Sequence, residues 1–328
     1  MLHNRFVGRP QTPSRQEMAL VGITAIWGST FVVVHLAVQH SGPWFFVGIR
    51  FLAAGLIAAA IFHRSLRRIS ARDLVAGVSI GVCLFSGYGL QTFGLQTITA
   101  STSAFITALY VPLVPLLQWA AFRKPPGRMA LLGVTLAFVG LVLLAGPEAL
   151  RIGFGPGETA TLIGAVAMAA EIVLIGVFAG RVSLGNVTII QLLTAGALGL
   201  MTFPLAGESV PAFSWGWLAP ALGMAAASCL IQLTMNWAQR SVSPTRATII
   251  YAGEPVWGGI FGWFYGDRLG VIAVVGAACI VASNILSELK PGRRAREVDS
   301  KRGPTEHPDL EEHASGVRGA DAGMVETV

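Results

Sequence analysis

The chain has 328 residues, of which 53% are hydrophobic and 12% charged, and its mean hydropathy is +0.64. Soluble globular domains carry roughly 25% charged residues, so this composition excludes a soluble domain and indicates a membrane protein. The formal net charge of +6 would suit nucleic-acid binding, but the basic residues lie mainly between apolar segments, where they indicate membrane orientation instead.

Ten apolar segments follow one another along the chain, most of them about 20 residues long, the length a helix needs to cross a hydrocarbon core of about 30 Å. Backbone polar groups find no water in lipid, so segments this long are predicted to be helices rather than barrel strands. The predicted spans are 17–38, 44–62, 73–92, 99–121, 129–146, 158–180, 187–206, 215–238, 245–265 and 270–288. The predicted fold class is therefore an all-α polytopic membrane protein.

The first segment follows Arg5, Arg9 and Arg15 and so has the basic flank of a signal peptide. It is too long for a signal-peptide core, and nine similar segments come after it. An uncleaved span is therefore predicted, preceded by a cytoplasmic segment over residues 1–16.

Lys and Arg residues are distributed unevenly between the two predicted sides of the membrane. Of the 23, 17 fall on the side of the N-terminus and only Arg151 and Arg268 fall in loops on the other side. This is the positive-inside signature, and it predicts that both termini of an inner-membrane protein lie in the cytoplasm.

The last 40 residues differ in composition from the rest. Residues 289–328 are rich in charge, Gly and Pro, which predicts a disordered cytoplasmic tail. The three cysteines fall on different spans without metal-ligand spacing, so no disulfide framework, metal site or cofactor is predicted.

The fourth and ninth spans show a weak internal repeat at an offset of 143 residues. The coincident pairs are Thr102/Thr245, Ala104/Ala247, Ile106/Ile249, Pro112/Pro255 and Gly127/Gly270. These spans divide the ten into two groups of five, and because five is odd the second group must cross the membrane in the opposite sense. Two inverted five-helix repeats are predicted, over residues 17–146 and 158–288, a design that recurs in secondary transporters.

Four stretches carry a resemblance to a known family: "AIWGSTFVV", "PWFFVGIRFLAAGLI", "TASTSAFITALYVPLVPLL" and "GEPVWGGIFGWFYGDRLG". Over roughly residues 17 to 288 the chain resembles the drug/metabolite transporter superfamily, and within it the EamA-like ten-span transporters. The resemblance implies a secondary transporter whose central cavity is lined by the first four spans and their inverted counterparts. One departure is Gly253, where the family more often has a bulky aliphatic residue before the Glu.

Two carboxylates lie near the centre of predicted spans, where an ionisable side chain costs about 2.5 to 3.5 kcal/mol on insertion scales. Glu254 is about nine residues into the ninth span and Glu171 about 13 residues into the sixth. The functional interpretation is proton exchange or pairing with a cationic substrate group in a central cavity. The structural alternative is a carboxyl that fastens helices together by hydrogen bonds.

Arg50 is the one basic residue well inside a predicted span. It is interpreted as a site for a carboxylate-bearing solute, or as a partner of Glu171 or Glu254 in a gate, with snorkelling to the interface as the structural alternative. Laying "QLLTAG" on "RFLAAG" makes Gln191 its inverted counterpart, which hints at paired gates.

Trp27 lies in the middle of the first span, where an aromatic ring would stack on a substrate or pack against other helices. The resemblance implies cavity positions for Tyr110 and Gln91. Other polar side chains in the spans are predicted to bond a solute or neighbouring helices: Tyr88, Gln118, Gln232, Asn236, Tyr251 and Asn284.

Three prolines lie inside predicted helices: Pro112, Pro115 and Pro255. Each removes a backbone donor, so kinks are predicted, and in a transporter these are candidate hinges.

The function predicted is an exporter of small polar metabolites that works by alternating access, with proton coupling as an option. An intramembrane enzyme acting on lipid or prenyl substrates is the alternative. The predicted partners are a small-molecule substrate and the lipid bilayer, with a homodimer left open and no nucleic acid.

Overall fold

A computed structural model describes residues 13–98, 103, 106–123, 125–145, 155–254, 256–257, 260 and 270–288. Its described part contains ten α-helices, and each overlaps one of the ten predicted spans. They are α1 (Arg15–Ala37), α2 (Pro43–Ile61), α3 (Ala71–Gly94), α4 (Tyr110–Phe122), α5 (Arg128–Ala145), α6 (Pro156–Phe178), α7 (Leu184–Leu205), α8 (Trp215–Ala238), α9 (Pro244–Tyr251) and α10 (Val271–Glu288). A short 3₁₀ helix, Ser65–Arg68, joins α2 to α3.

The helix starts follow ordinary capping chemistry. Ser14 and Ser70 each form a capping box at the start of α1 and α3, with Glu17 and Asp73 as the acidic partners. Proline occupies the first helical position of α2, α6 and α9, where its missing N–H costs nothing. The sequence therefore specifies these starts locally.

The helix pairs that pack together are related to one another by exchange of the two halves. An inverted repeat exchanges α1 with α6, α2 with α7, α3 with α8, α4 with α9 and α5 with α10. The contacts of α3 with α6 then correspond to those of α8 with α1, and both pairs pack together. The pairs α2 with α7, α4 with α9 and α5 with α10 each pack a helix on its own counterpart. The fold is thus an all-α bundle of two inverted five-helix halves.

Five helices in the described part are long and apolar enough to cross a membrane. They are Pro43–Ile61, Ala71–Gly94, Pro156–Phe178, Leu184–Leu205 and Trp215–Ala238. Large apolar side chains such as Leu56, Val75 and Ile163 point outward from the bundle and are more than half exposed. Such a surface suits lipid rather than water.

Glycine brings α2 and α7 into close contact at the centre of the bundle. A Cβ on Gly196 would lie 2.4 Å from the backbone N of Leu52, and one on Gly199 would lie 2.6 Å from the Cα of Gly48. Small residues at helix interfaces let the two backbones approach this closely, and such close packing helps to hold helices together in lipid.

Two carboxylates cap this central pair, one at each end of the bundle. Glu208, in the loop after α7, accepts hydrogen bonds from the backbone N–H groups of Trp44 (3.1 Å) and Phe45 (3.0 Å) at the start of α2. Asp73 accepts from the backbone N–H of Ser183 (2.8 Å), the residue that caps α7. The caps satisfy otherwise unpaired helix donors and follow the inverted symmetry.

The fourth and ninth spans, predicted over 99–121 and 245–265 with kinks at their prolines, are interrupted rather than only kinked. Helical structure is interrupted at Ala108–Leu109 and again at Ala252–Gly253, positions that match across the repeat within one residue. Pro112 lacks the N–H that would reach the Ala108 carbonyl, which accepts from the N–H of Val111 instead (3.0 Å). Each break therefore lies about one turn before a predicted hinge proline.

The structure describes two of the three hinge candidates. Pro112 follows the first break, Pro115 lies inside a helix that continues past it, and Pro255 is outside the described residues. The predicted tail over 289–328 is also outside the described residues.

Candidate functional site

A central cavity with a volume of about 30 Å³ lies between the helices of the two halves. It brings together six of the seven residues predicted for the substrate or proton pathway: Trp27, Arg50, Gln91, Tyr110, Glu171 and Glu254. The rest of the lining is mixed: Thr30, Val34, Tyr88, Thr92, Leu95, Thr107, Met168, Ile172 and Met235. A cavity of this volume holds one or two water molecules, so this is a narrow state of the site.

The cavity reaches toward one end of the bundle. Val34 and Leu95, at the ends of α1 and α3, line its upper part, and Glu171 and Met235 line its floor. We call the end with the α1–α2 loop the first end, and the end with the α6–α7 loop the second end. The positive-inside distribution predicts that the first end faces away from the cytoplasm.

Glu254 lies just past the break in the ninth span. Its side chain is buried and lines the cavity. The hydroxyl of Tyr110, the first residue after the break in the fourth span, interacts with its carboxyl. Both breaks therefore place one polar side chain each on the same cavity wall. Irregular backbone next to a binding site at membrane depth is a recurrent feature of transporters.

Arg50 is buried at 2% exposure, so it does not snorkel to the interface. Its Nε donates a hydrogen bond to Ser228 Oγ on α8 (2.7 Å), and its guanidinium carbon lies 5.0 Å from the Phe51 ring centroid and 5.1 Å from that of Tyr88. Cation–π contacts of this kind stabilise a guanidinium away from water. Within the described residues Arg50 makes no ion pair with Glu171 or Glu254, so the gate pairing stays a prediction.

Trp27 forms part of an aromatic wall. Its ring lies edge-on to Tyr251 at 5.6 Å and parallel to Tyr88 at 6.4 Å between centroids. Tyr88 in turn contacts Phe51 edge-on at 5.4 Å. The aromatic wall both packs against other helices and lines the cavity. Packing by Trp27 is therefore compatible with its predicted stacking on a substrate.

Gln91 donates a hydrogen bond to Thr107 Oγ1 (2.8 Å), just before the break in the fourth span. The contact ties α3 to the irregular segment of the fourth span. The predicted cavity position of Gln91 therefore comes with a specific partner.

Glu171 is held from the second end by a chain of side-chain amides. Gln232 Nε2 donates to Glu171 Oε1 (2.9 Å), and Gln191 Nε2 donates to Gln232 Oε1 (2.8 Å). Asn236 Nδ2 donates to Gln191 Oε1 (3.1 Å) and to Thr188 Oγ1 (3.2 Å). Gln191 is thus buried behind the cavity, connected to it through Gln232 and Glu171, and does not line it.

The sequence pattern of the EamA-like transporter family matches residues 15–146 and again 155–288. The chain belongs to the EamA-like transporter family. The two matches fall on the two halves that the structure relates by inversion. The protein is a multi-pass membrane protein of the drug/metabolite transporter type.

Relatives of this EamA-like transporter extend the comparison. An uncharacterized transporter of Archaeoglobus fulgidus is 30% identical over 248 residues, which cover 75% of this chain and 76% of the relative. The uncharacterized inner membrane transporter YedA of Escherichia coli is 28% identical over 250 residues, 73% of this chain and 78% of its own. A solved crystal structure with a TM-score of 0.69 and 18% identity covers 90% of this chain and all of its own, which shows the shared fold.

Sequence reasoning missed two features of the site in this EamA-like transporter. It named Gln232 and Asn236 only as general hydrogen-bonding residues, and it did not single out Ser228 at all. Their four-residue spacing on α8 was the available signal, since residues at that spacing share a helix face.

Proposed function

We propose that this protein exports small, amphipathic, amino-acid-like solutes across the inner membrane by alternating access, with proton exchange at the central cavity. The observation that carries the proposal is the composition of the cavity: one guanidinium, two carboxyls and an aromatic wall inside an inverted-repeat bundle. We also propose that both termini lie in the cytoplasm, which the positive-inside distribution supports.

The charges of the cavity suit a zwitterion. Arg50 offers a fixed cation for a carboxylate, and Glu254 and Glu171 offer acceptors for an ammonium group. Trp27 and Tyr88 offer ring faces for an apolar side chain of the solute.

The same charges suit proton exchange. Two ionised carboxylates and one guanidinium leave the cavity with one uncompensated negative charge, and an unpaired charge in a buried site is costly. A proton or a cationic solute group supplies the compensation. Competition between the two for the same carboxyls would couple solute movement to proton movement.

The alternative of an intramembrane enzyme gains no support from the relatives, which are named as transporters. We therefore propose that the protein has no enzymatic activity.

The test is solute flux into proteoliposomes, with a panel of amino acids and related metabolites under an imposed pH gradient. We expect flux of one or more amphipathic zwitterions that empty liposomes do not show. Absence of flux across the panel, with turnover of lipid in the same vesicles, would refute the proposal.

A further inference from the structure

Helix α8 carries a continuous polar stripe that extends past the floor of the cavity. Its members are Ser228, Gln232, Asn236 and Gln239, spaced by four, four and three residues, so they share one face. All four are buried, at 2%, 1%, 6% and 4% exposure. The opposite face of α8 presents Leu222 and Leu230, which are about half exposed.

The stripe begins beside the cavity and continues past its floor toward the second end. Ser228 meets Arg50 beside the cavity, and Gln232 meets Glu171 at its floor. Asn236 lies below that floor, bonded to Thr188 and Gln191 of α7 rather than to open space. Buried polar side chains are expensive in a membrane protein and mark solute pathways.

The inverted repeat gives this stripe a counterpart on α3 that lines the cavity. Helices α3 and α8 exchange under the repeat, and both have 24 residues. Aligned end to end, Tyr88 corresponds to Gln232 and Thr92 to Asn236. Tyr88 and Thr92 line the cavity that reaches toward the first end, so the related face of α8 is placed to line a cavity that reaches toward the second end.

The second end of the stripe contains polar groups with incomplete hydrogen bonding. The Gln239 amide and the Tyr251 hydroxyl are adjacent and buried, and neither has a hydrogen bond of standard geometry. A buried polar atom without a partner destabilises the closed arrangement. Contact with water in another state of the transporter would satisfy both.

We infer that Gln232, Asn236 and Gln239 line the closed half of the transport path, and that solute crosses it between Glu171 and the second end. The inference rests on the proposed function, because it assumes that one path opens alternately to the two ends. In the state described here the amides bond one another and close the path. When the second end opens, the same amides exchange those bonds for bonds to water and solute.

The test measures which side of the membrane reaches each face of α8. Single cysteines are introduced in a background in which Cys83, Cys229 and Cys279 are replaced by alanine, and vesicles of both orientations are treated with a membrane-impermeant maleimide. We expect Asn236→Cys to react from the cytoplasmic side roughly tenfold faster than Leu230→Cys, because an exposed thiol reacts and a lipid-facing one does not. Thr92→Cys is expected to react from the opposite side.

Two outcomes overturn the inference: Asn236→Cys no more reactive than Leu230→Cys from either side, or Asn236→Cys reactive only from the side that labels Thr92→Cys. If Asn236→Cys does not fold, Gln232→Cys takes its place, with the same expectations. Labelling needs no solute, so flux without cytoplasmic labelling refutes the path alone, and labelling without flux refutes the proposed solute class alone.

Discussion

The contact between α2 and α7 makes a prediction that depends on backbone geometry. In Gly196→Ala the new Cβ would lie 2.4 Å from the Leu52 backbone N and 2.7 Å from its Cα. Ordinary contact begins at 3.4 Å, so the two helices must separate by about 1 Å or deform. Both contacted atoms belong to the backbone, so no flexible side chain can move aside to relieve the clash.

The expected cost follows from two opposing effects. Overpacking costs about 1 to 3 kcal/mol, and contact with backbone favours the upper end. Alanine regains about 1 kcal/mol of helix propensity, which leaves a net loss of about 2 kcal/mol. The control is Gly223→Ala on α8, where no atom lies within 4 Å of the new Cβ and only the propensity gain remains.

The assay is thermal unfolding of both purified variants in the same detergent and lipid mixture, followed by circular dichroism. We expect Gly196→Ala to unfold below the wild-type temperature and Gly223→Ala at or above it. Equal unfolding temperatures for the two variants would refute the close α2–α7 contact as an energetic feature.

Two further predictions concern buried charges. Replacing Asp73 by Asn removes a charged acceptor from the backbone N–H of Ser183, so unfolding should become easier by about 1 to 3 kcal/mol. Glu208→Gln, at the less buried opposite cap, should cost less, and a larger loss there would contradict the burial argument. Arg50→Lys keeps the charge but loses the Nε donor to Ser228, so solute KM in the flux assay should rise by about tenfold; an unchanged KM would show that solute binding does not depend on the guanidinium held by Ser228.

Hydropathy and charge asymmetry were sufficient to predict the ten helices, because lipid imposes helix length and polarity on every span. The depth of Arg50, Glu171 and Glu254 in their spans suggested positions at a central cavity, and all three line it, although Arg50 pairs with neither carboxylate. These features depend on position along one span and need no knowledge of its neighbours.

Partners across the bundle could not be predicted in the same way. Arg50 bonds Ser228, which is 178 positions away, and a serine in an apolar helix gives no sign of its partner. The four-residue spacing on α8 shows that its polar residues share one face, but it does not say which helix or cavity that face meets. The helix breaks were predicted only as kinks, since a proline fixes where a donor is lost and not how the freed carbonyl is satisfied.

The central claim is that carboxyls of the shared cavity couple solute movement to protons, and Glu254 tests it most directly. The measurement is solute flux into proteoliposomes with and without a pH gradient, for the wild type, Glu254→Gln and the matched control Glu158→Gln in the first turn of α6, which is not among the cavity residues of the described chain. We predict that the gradient accelerates flux in the wild type and in Glu158→Gln, and that Glu254→Gln, folded to the same extent, shows flux that no longer responds to it. An unchanged response in Glu254→Gln would contradict the account and make Glu254 a structural residue.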